Sequence, residues 1–117
     1  MSPREHSQVQ LMLQLLFWAA GLFAFVMALI PHPPNLGNDK FQHMAAFATL
    51  GLLASLAYPR VSALKLLLGL SLFGALIEIA QAIPVIHRDS DPLDWLADTV
   101  ACGIVLLVLR LWRARSR

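Results

Sequence analysis

Residues 11–30 run for 20 positions without one charged side chain, and Gln14 is the only polar residue among them. A stretch of about 20 apolar residues, rising 1.5 Å each as a helix, crosses a hydrocarbon core of roughly 30 Å. Inside lipid the backbone must satisfy its own hydrogen bonds, which leaves helices or closed barrels. No apolar run in this chain alternates with period two, so the barrel is not supported. A cleaved secretory leader is the rival reading of this run. Its apolar region would be only about 7–15 residues long and would end in a small-residue cleavage site, and none is clear here. The run is read as a retained first span.

Composition extends this to the whole chain. Of 117 residues, 58% are hydrophobic and 14% charged, against about 25% charged in soluble domains. The charges also collect between apolar blocks. The expected fold is all-α, one domain over 1–117, an integral membrane bundle of four transmembrane helices spanning about 11–30, 40–58, 63–83 and 92–112. Residues 1–10 read as a polar flank, and Pro31, Pro33 and Pro34 stop the first helix. Asp39 is placed to cap the second helix, and Tyr58-Pro59-Arg60 ends it. Gly51 and Ser55, four apart, allow another helix to approach closely. Gly69 and Gly74 are ordinary in a membrane helix. Pro84 closes the third helix. Asp91 as cap, Pro92 at the first helical position and Asp94 in the first turn open the fourth. Trp95 and Trp112, near its two ends, read as interfacial aromatics. Gln14 reads as an isolated packing contact. Cys102 is the single cysteine, so no intrachain disulfide forms.

Charge placement sets an expected orientation. With four spans, both termini lie on one side, together with Arg4, Arg60, Lys65, Arg110, Arg113, Arg115 and Arg117. Lys40 and Arg88 alone fall on the other side. Seven basic residues against two place the termini in the cytoplasm. The basic tail after Arg110 is too short, and too close to a span, to imply nucleic acid. It reads as a flank beside anionic lipid.

The polar residues inside the spans then stand out. At 1.5 Å per residue, Glu78 and Asp98 lie roughly 8–10 Å below the outward helix ends; His43 lies about 6 Å below, and Gln81 and Asp94 roughly 3–5 Å. Glu78 and Gln81 share a helix face by spacing, as do Asp94 and Asp98. Such faces turn away from lipid, so three helices bring carboxylate, amide and imidazole to matching depths at one end. Glu78 is either a register-fixing carboxyl bonded within the bundle or a general acid/base. Asp98 lies too deep for a helix-dipole role and pairs with something, with His43 one candidate. His43 itself is either a satisfied core imidazole or part of the site. Lys40 and Arg88, in the motif segments, either pair with Asp39, Asp89 or Asp91, or grip a phosphate. No cofactor is implied. Mg, Mn or Ca would suit one His with several carboxylates better than zinc would, but no ligand spacing supports a metal. His6, His32 and His87 read as solvated.

The order Asp39-Lys-Phe-Gln-His43-Met-Ala-Ala-Phe47, then Glu78-Ile-Ala-Gln81 with Pro84 and Arg88, then Asp94-Trp-Leu-Ala-Asp98 resembles the VanZ-like family. These are small membrane proteins named for an accessory factor in teicoplanin resistance. The resemblance covers about residues 39–108. It departs from the family pattern at Asp98, where Asn is common, and at Ala101, where Gly is usual. It implies a bacterial cell-envelope protein of the cytoplasmic membrane, linked to glycopeptide resistance, and supplies no mechanism.

Three functions fit these residues. In the first, an outward-facing site binds or modifies an anionic lipid or lipid-linked glycan. Arg88, Lys40, Gln81 and Asp39 hold the ligand, and Glu78, His43, Asp94 and Asp98 orient it or exchange protons. In the second, the chain is a small proton-coupled transporter using Glu78. In the third, it is a non-catalytic helix-packing subunit. Membrane lipids are the expected partners, and self-association stays open.

Overall fold

The computed structural model describes residues 2–30, 39–83 and 92–115, with the side chains of Asp39 and Lys40 outside the description. Within these residues there are four helices and no strand: α1 (Pro3–Leu29), α2 (Asp39–Ala57), α3 (Ala63–Gln81) and α4 (Pro92–Arg115). Three of them, α1, α3 and α4, are long and apolar enough to cross a membrane, whereas α2 has a shorter apolar stretch, Phe41–Ala57. The chain is a multi-pass helical membrane protein.

The helix ends follow local chemistry. Ser2 caps α1 by accepting from the Glu5 N–H, and Pro3 sits in the first turn. So the segment expected as a polar flank is helical, and α1 begins eight residues before the apolar run does. Ser62, which the sequence reading passed over, caps α3 through the Lys65 N–H. The third helix stops at Gln81 rather than Ile83, and the fourth continues to Arg115. The expected roles of Pro31, Pro33, Pro34, Pro84 and Asp91 fall outside the described residues, as do His32 and His87.

The helices run up and down, and α2 is the centre of the bundle. It packs most closely on α4 and also touches α1 and α3. Gly51 explains the close approach: a Cβ there would lie 3.1 Å from Cys102 Sγ and 3.4 Å from the Cys102 carbonyl oxygen. The small-residue face expected from Gly51 and Ser55 is the one α4 uses. Gly74 serves α3 similarly, since its Cβ would come within 3.2 Å of the Trp95 ring and 3.4 Å of Phe47. Phe47, Leu50 and Ala54 of α2, Leu70 and Ile77 of α3, and Cys102 and Leu106 of α4 form the buried core. Phe73 joins the layers, with ring centroids 5.9 Å from Phe47 and 6.2 Å from Phe25.

The end of the bundle that carries both termini is tied by polar contacts that the sequence did not reveal. The last carbonyls of α2 have no intrahelical partner. Gln10 Nε2 donates to the Ala57 and Leu56 carbonyls, and Gln14 Nε2 donates to Ala57 at 3.2 Å. From α4, Arg110 donates to Ser55 Oγ and to the Tyr58 carbonyl, both at 3.2 Å. Gln14 is therefore a helix-to-helix donor rather than an isolated packing contact. Arg110 is anchored within the bundle and is not simply part of a basic tail.

Candidate functional site

At the opposite end lie the last turn of α1, the start of α2, the last turn of α3 and the start of α4, and a bond from Gln81 to Ala28 joins α3 to α1 there. The buried stripe of α3 runs Leu70, Gly74, Ile77, Gln81 and turns from apolar to polar as it reaches this end. The stripe of α4 does the same in reverse, Asp98 then Cys102 then Leu106. Spacings of three and four keep each stripe on one helix face, so the polar members point at the neighbouring helices and away from lipid.

Gln81 is 2% exposed, and its amide donates to the Ala28 carbonyl of α1 at 2.8 Å. Ala28 lies in the last turn of α1, where carbonyls lack an intrahelical donor. The amide therefore joins the ends of α1 and α3. Asp98 is 3% exposed, with its Oδ1 sealed from solvent. His43, Glu78 and Asp94 are half-buried. Each of His43, Glu78, Asp94 and Asp98 is engaged by a neighbour. Arg88 lies outside the described residues, as do the side chains of Asp39 and Lys40. Among the described residues, no group of three or more His, Cys, Asp and Glu side chains is placed to hold a metal ion.

Two further features belong to this region. His43 and Gln42 border a cavity of about 390 Å³ between α1 and α2, walled by small residues such as Ala24, Ala28 and Ala46 and closed below by Leu50. Ligand pockets are typically about 300–1,000 Å³, mostly apolar with a few polar groups, and this cavity has that character. Below Asp94 and Asp98, a hydroxyl and indole network ties α3 to α4. Trp95 Nε1 donates to the Ser71 carbonyl at 2.9 Å, and Ser71 Oγ lies 3.2 Å from Thr99 Oγ1. Trp95 thus packs into the α3–α4 seam, half-buried, while Trp112 is 67% exposed. Sequence reading missed the Ser71–Thr99 pair because two single hydroxyls, 28 residues apart, carry no local signal.

Fold and site together define a small polytopic helical protein with a polar cluster at one end of its bundle. No protein-family model, curated protein or solved structure matches the chain.

Proposed function

We propose that this is a VanZ-like protein of the bacterial cytoplasmic membrane, with both termini in the cytoplasm, whose outward end binds or modifies an anionic lipid or lipid-linked glycan. The observation that carries the reading is that His43, Glu78, Gln81, Asp94 and Asp98 all fall within the helix turns at the end of the bundle away from the termini, with Gln81 and Asp98 buried. In sequence this cluster is flanked by Lys40 and Arg88, two basic residues against the usual charge bias. Arg88 would offer a bidentate fork to a phosphate and Lys40 a point charge. The apolar cavity beside His43 would accept part of the ligand's hydrocarbon. Asp98, Glu78 and His43 would orient the headgroup or exchange a proton with it.

A second reading, in which the polar residues only fix helix packing, is favoured by one contact, the Gln81 amide committed to the Ala28 carbonyl. The two separate in native mass spectrometry of the protein extracted gently with its lipids. Wild type should retain one anionic lipid more per chain than Arg88→Ala, which stays folded. Equal numbers of retained lipids in wild type, Arg88→Ala and the Glu78→Gln, His43→Asn pair support packing alone. A carboxy-terminal fluorescent-protein fusion should glow, and a dark but inserted fusion overturns the orientation.

A further inference from the structure

A second lipid-shaped site lies at the other end of the molecule. Along the seam between α1 and α3, with Leu50 and Ala54 of α2 as its floor, runs an apolar groove of about 540 Å³. Gly21 and Phe25 form one wall and Gly69 and Phe73 the other. The glycines keep it open. A Cβ at Gly69 would meet nothing within 4 Å, and one at Gly21 would only touch Leu50 at 4.0 Å. From Lys65 to Phe73 on α3, and from Phe17 to Phe25 on α1, the groove is eight residues long, or about 12 Å at 1.5 Å per residue. Half of a hydrocarbon core of roughly 30 Å is about 15 Å, so the groove matches the acyl region of one leaflet.

Its mouth is polar and basic. Trp18 Nε1 donates to the Tyr58 hydroxyl at 2.7 Å across the groove's end, and Lys65 stands on the opposite wall. Tyr58 and Val61 are shared with a neighbouring polar cleft of about 490 Å³ that includes His6, Ser7 and Arg60. Lys65 and Arg60 are both exposed, and among the described residues neither side chain is held by a carboxylate. Glu5 is the one acidic residue on the stretches of chain that make up this end, against Arg4, Arg60, Lys65, Arg110, Arg113 and Arg115. A slot with the length of one acyl chain, an aromatic collar, Lys65 at its rim and Arg60 in the adjoining polar cleft complements a single kind of partner.

We propose that this groove binds an anionic phospholipid of the leaflet on the side of the termini. One acyl chain lies between α1 and α3, and the phosphate sits between Lys65 and Arg60. Arg60 presents a planar fork to the phosphate oxygens and Lys65 a compact charge. The site is separate from the polar cluster at the far end and does not depend on its function.

The test uses the full chain in detergent, on an Arg88→Ala background so that the far end contributes nothing. Native mass spectrometry follows titration with phosphatidylglycerol and, separately, with phosphatidylcholine of the same acyl chains. Phosphatidylglycerol should be retained roughly tenfold more than phosphatidylcholine, the order expected from two basic residues near a lipid phosphate. Arg60→Gln with Lys65→Gln should abolish that preference without changing thermal stability, since both side chains are exposed. Gly69→Leu, which fills the groove from a position with room to spare, should reduce retention of both lipids. Equal retention of the two headgroups overturns the proposal. So does a preference that survives the charge variant, or a Gly69→Leu protein that is folded and binds like wild type.

Discussion

Gln81 shows what single polar side chains do in this bundle. Its amide meets a backbone carbonyl that the end of α1 leaves without a donor, in a place with almost no solvent access. Interhelical hydrogen bonds in membranes contribute only about 0.6–2 kcal/mol each, because the separated helices also find partners. Gln81→Met keeps the length and removes the donor. It should lower stability by about 1–2 kcal/mol in reversible detergent unfolding. Gln8→Met, on the exposed first turns of α1, should change nothing measurable. Equal stability of the Gln81 variant and wild type would mean that the Ala28 carbonyl is satisfied in another way. The same local view explains which site residues could be read from sequence. His43, Glu78, Gln81, Asp94 and Asp98 are polar letters inside apolar runs, and counting residues from the helix ends puts them all toward one end. What each one touches depends on the rotation of four helices, which no local spacing specifies.

At the scale of helices, glycines separate by what lies opposite them. Gly51 and Gly69 both sit in the interior of apolar helices, and composition treats them alike. The structure does not, because Gly51 faces the backbone and sulfur of Cys102 whereas Gly69 faces open space. Gly51→Ala requires Cys102 to give by a few tenths of an ångström, and in a packed α2–α4 contact that cannot yield, overpacking costs about 1–3 kcal/mol. Gly69→Ala should be neutral or stabilise by up to about 1 kcal/mol through helix propensity. Parallel unfolding curves of the two variants test this, and a Gly51→Ala protein as stable as wild type would mean that Cys102 yields to the added methyl. Here the sequence was partly informative. The Gly51–Ser55 spacing announced a contact face, and Pro92 announced the start of α4. Gln10, Gln14 and Arg110 announced nothing of these contacts, because their acceptors, the Leu56, Ala57 and Tyr58 carbonyls and the Ser55 hydroxyl, are more than 40 residues away in the chain. The seam contact of Trp95 was hidden for a related reason. An aromatic near a helix end suits both an interface and a seam, and only Gly74 opposite it decides for the seam.

The whole molecule has an apolar shell around its largely apolar core, unlike a soluble bundle. Gln81, Asp98 and Ser55 are buried, while Leu72 at the middle of α3, Ile104 at the middle of α4 and Phe23 on α1 are more than half exposed. A soluble protein would leave such a shell to aggregate, whereas a bilayer solvates it. This gives a test that does not depend on any proposed ligand. An arginine at the centre of a lipid-facing helix costs about 2.5–3.5 kcal/mol on insertion scales, and much less near an end, where it reaches the headgroups. Leu72 is 63% exposed at mid-helix, and Leu111 is 57% exposed one turn from the end of α4. On a soluble surface both would accept Arg within about 0.5 kcal/mol. In lipid, Leu72→Arg should sharply reduce the membrane-inserted fraction of the expressed protein while Leu111→Arg leaves it near wild type. Insertion of the two variants, measured side by side by membrane fractionation and alkaline extraction, reads out the difference. Equal tolerance of both would place α3 in water rather than in lipid.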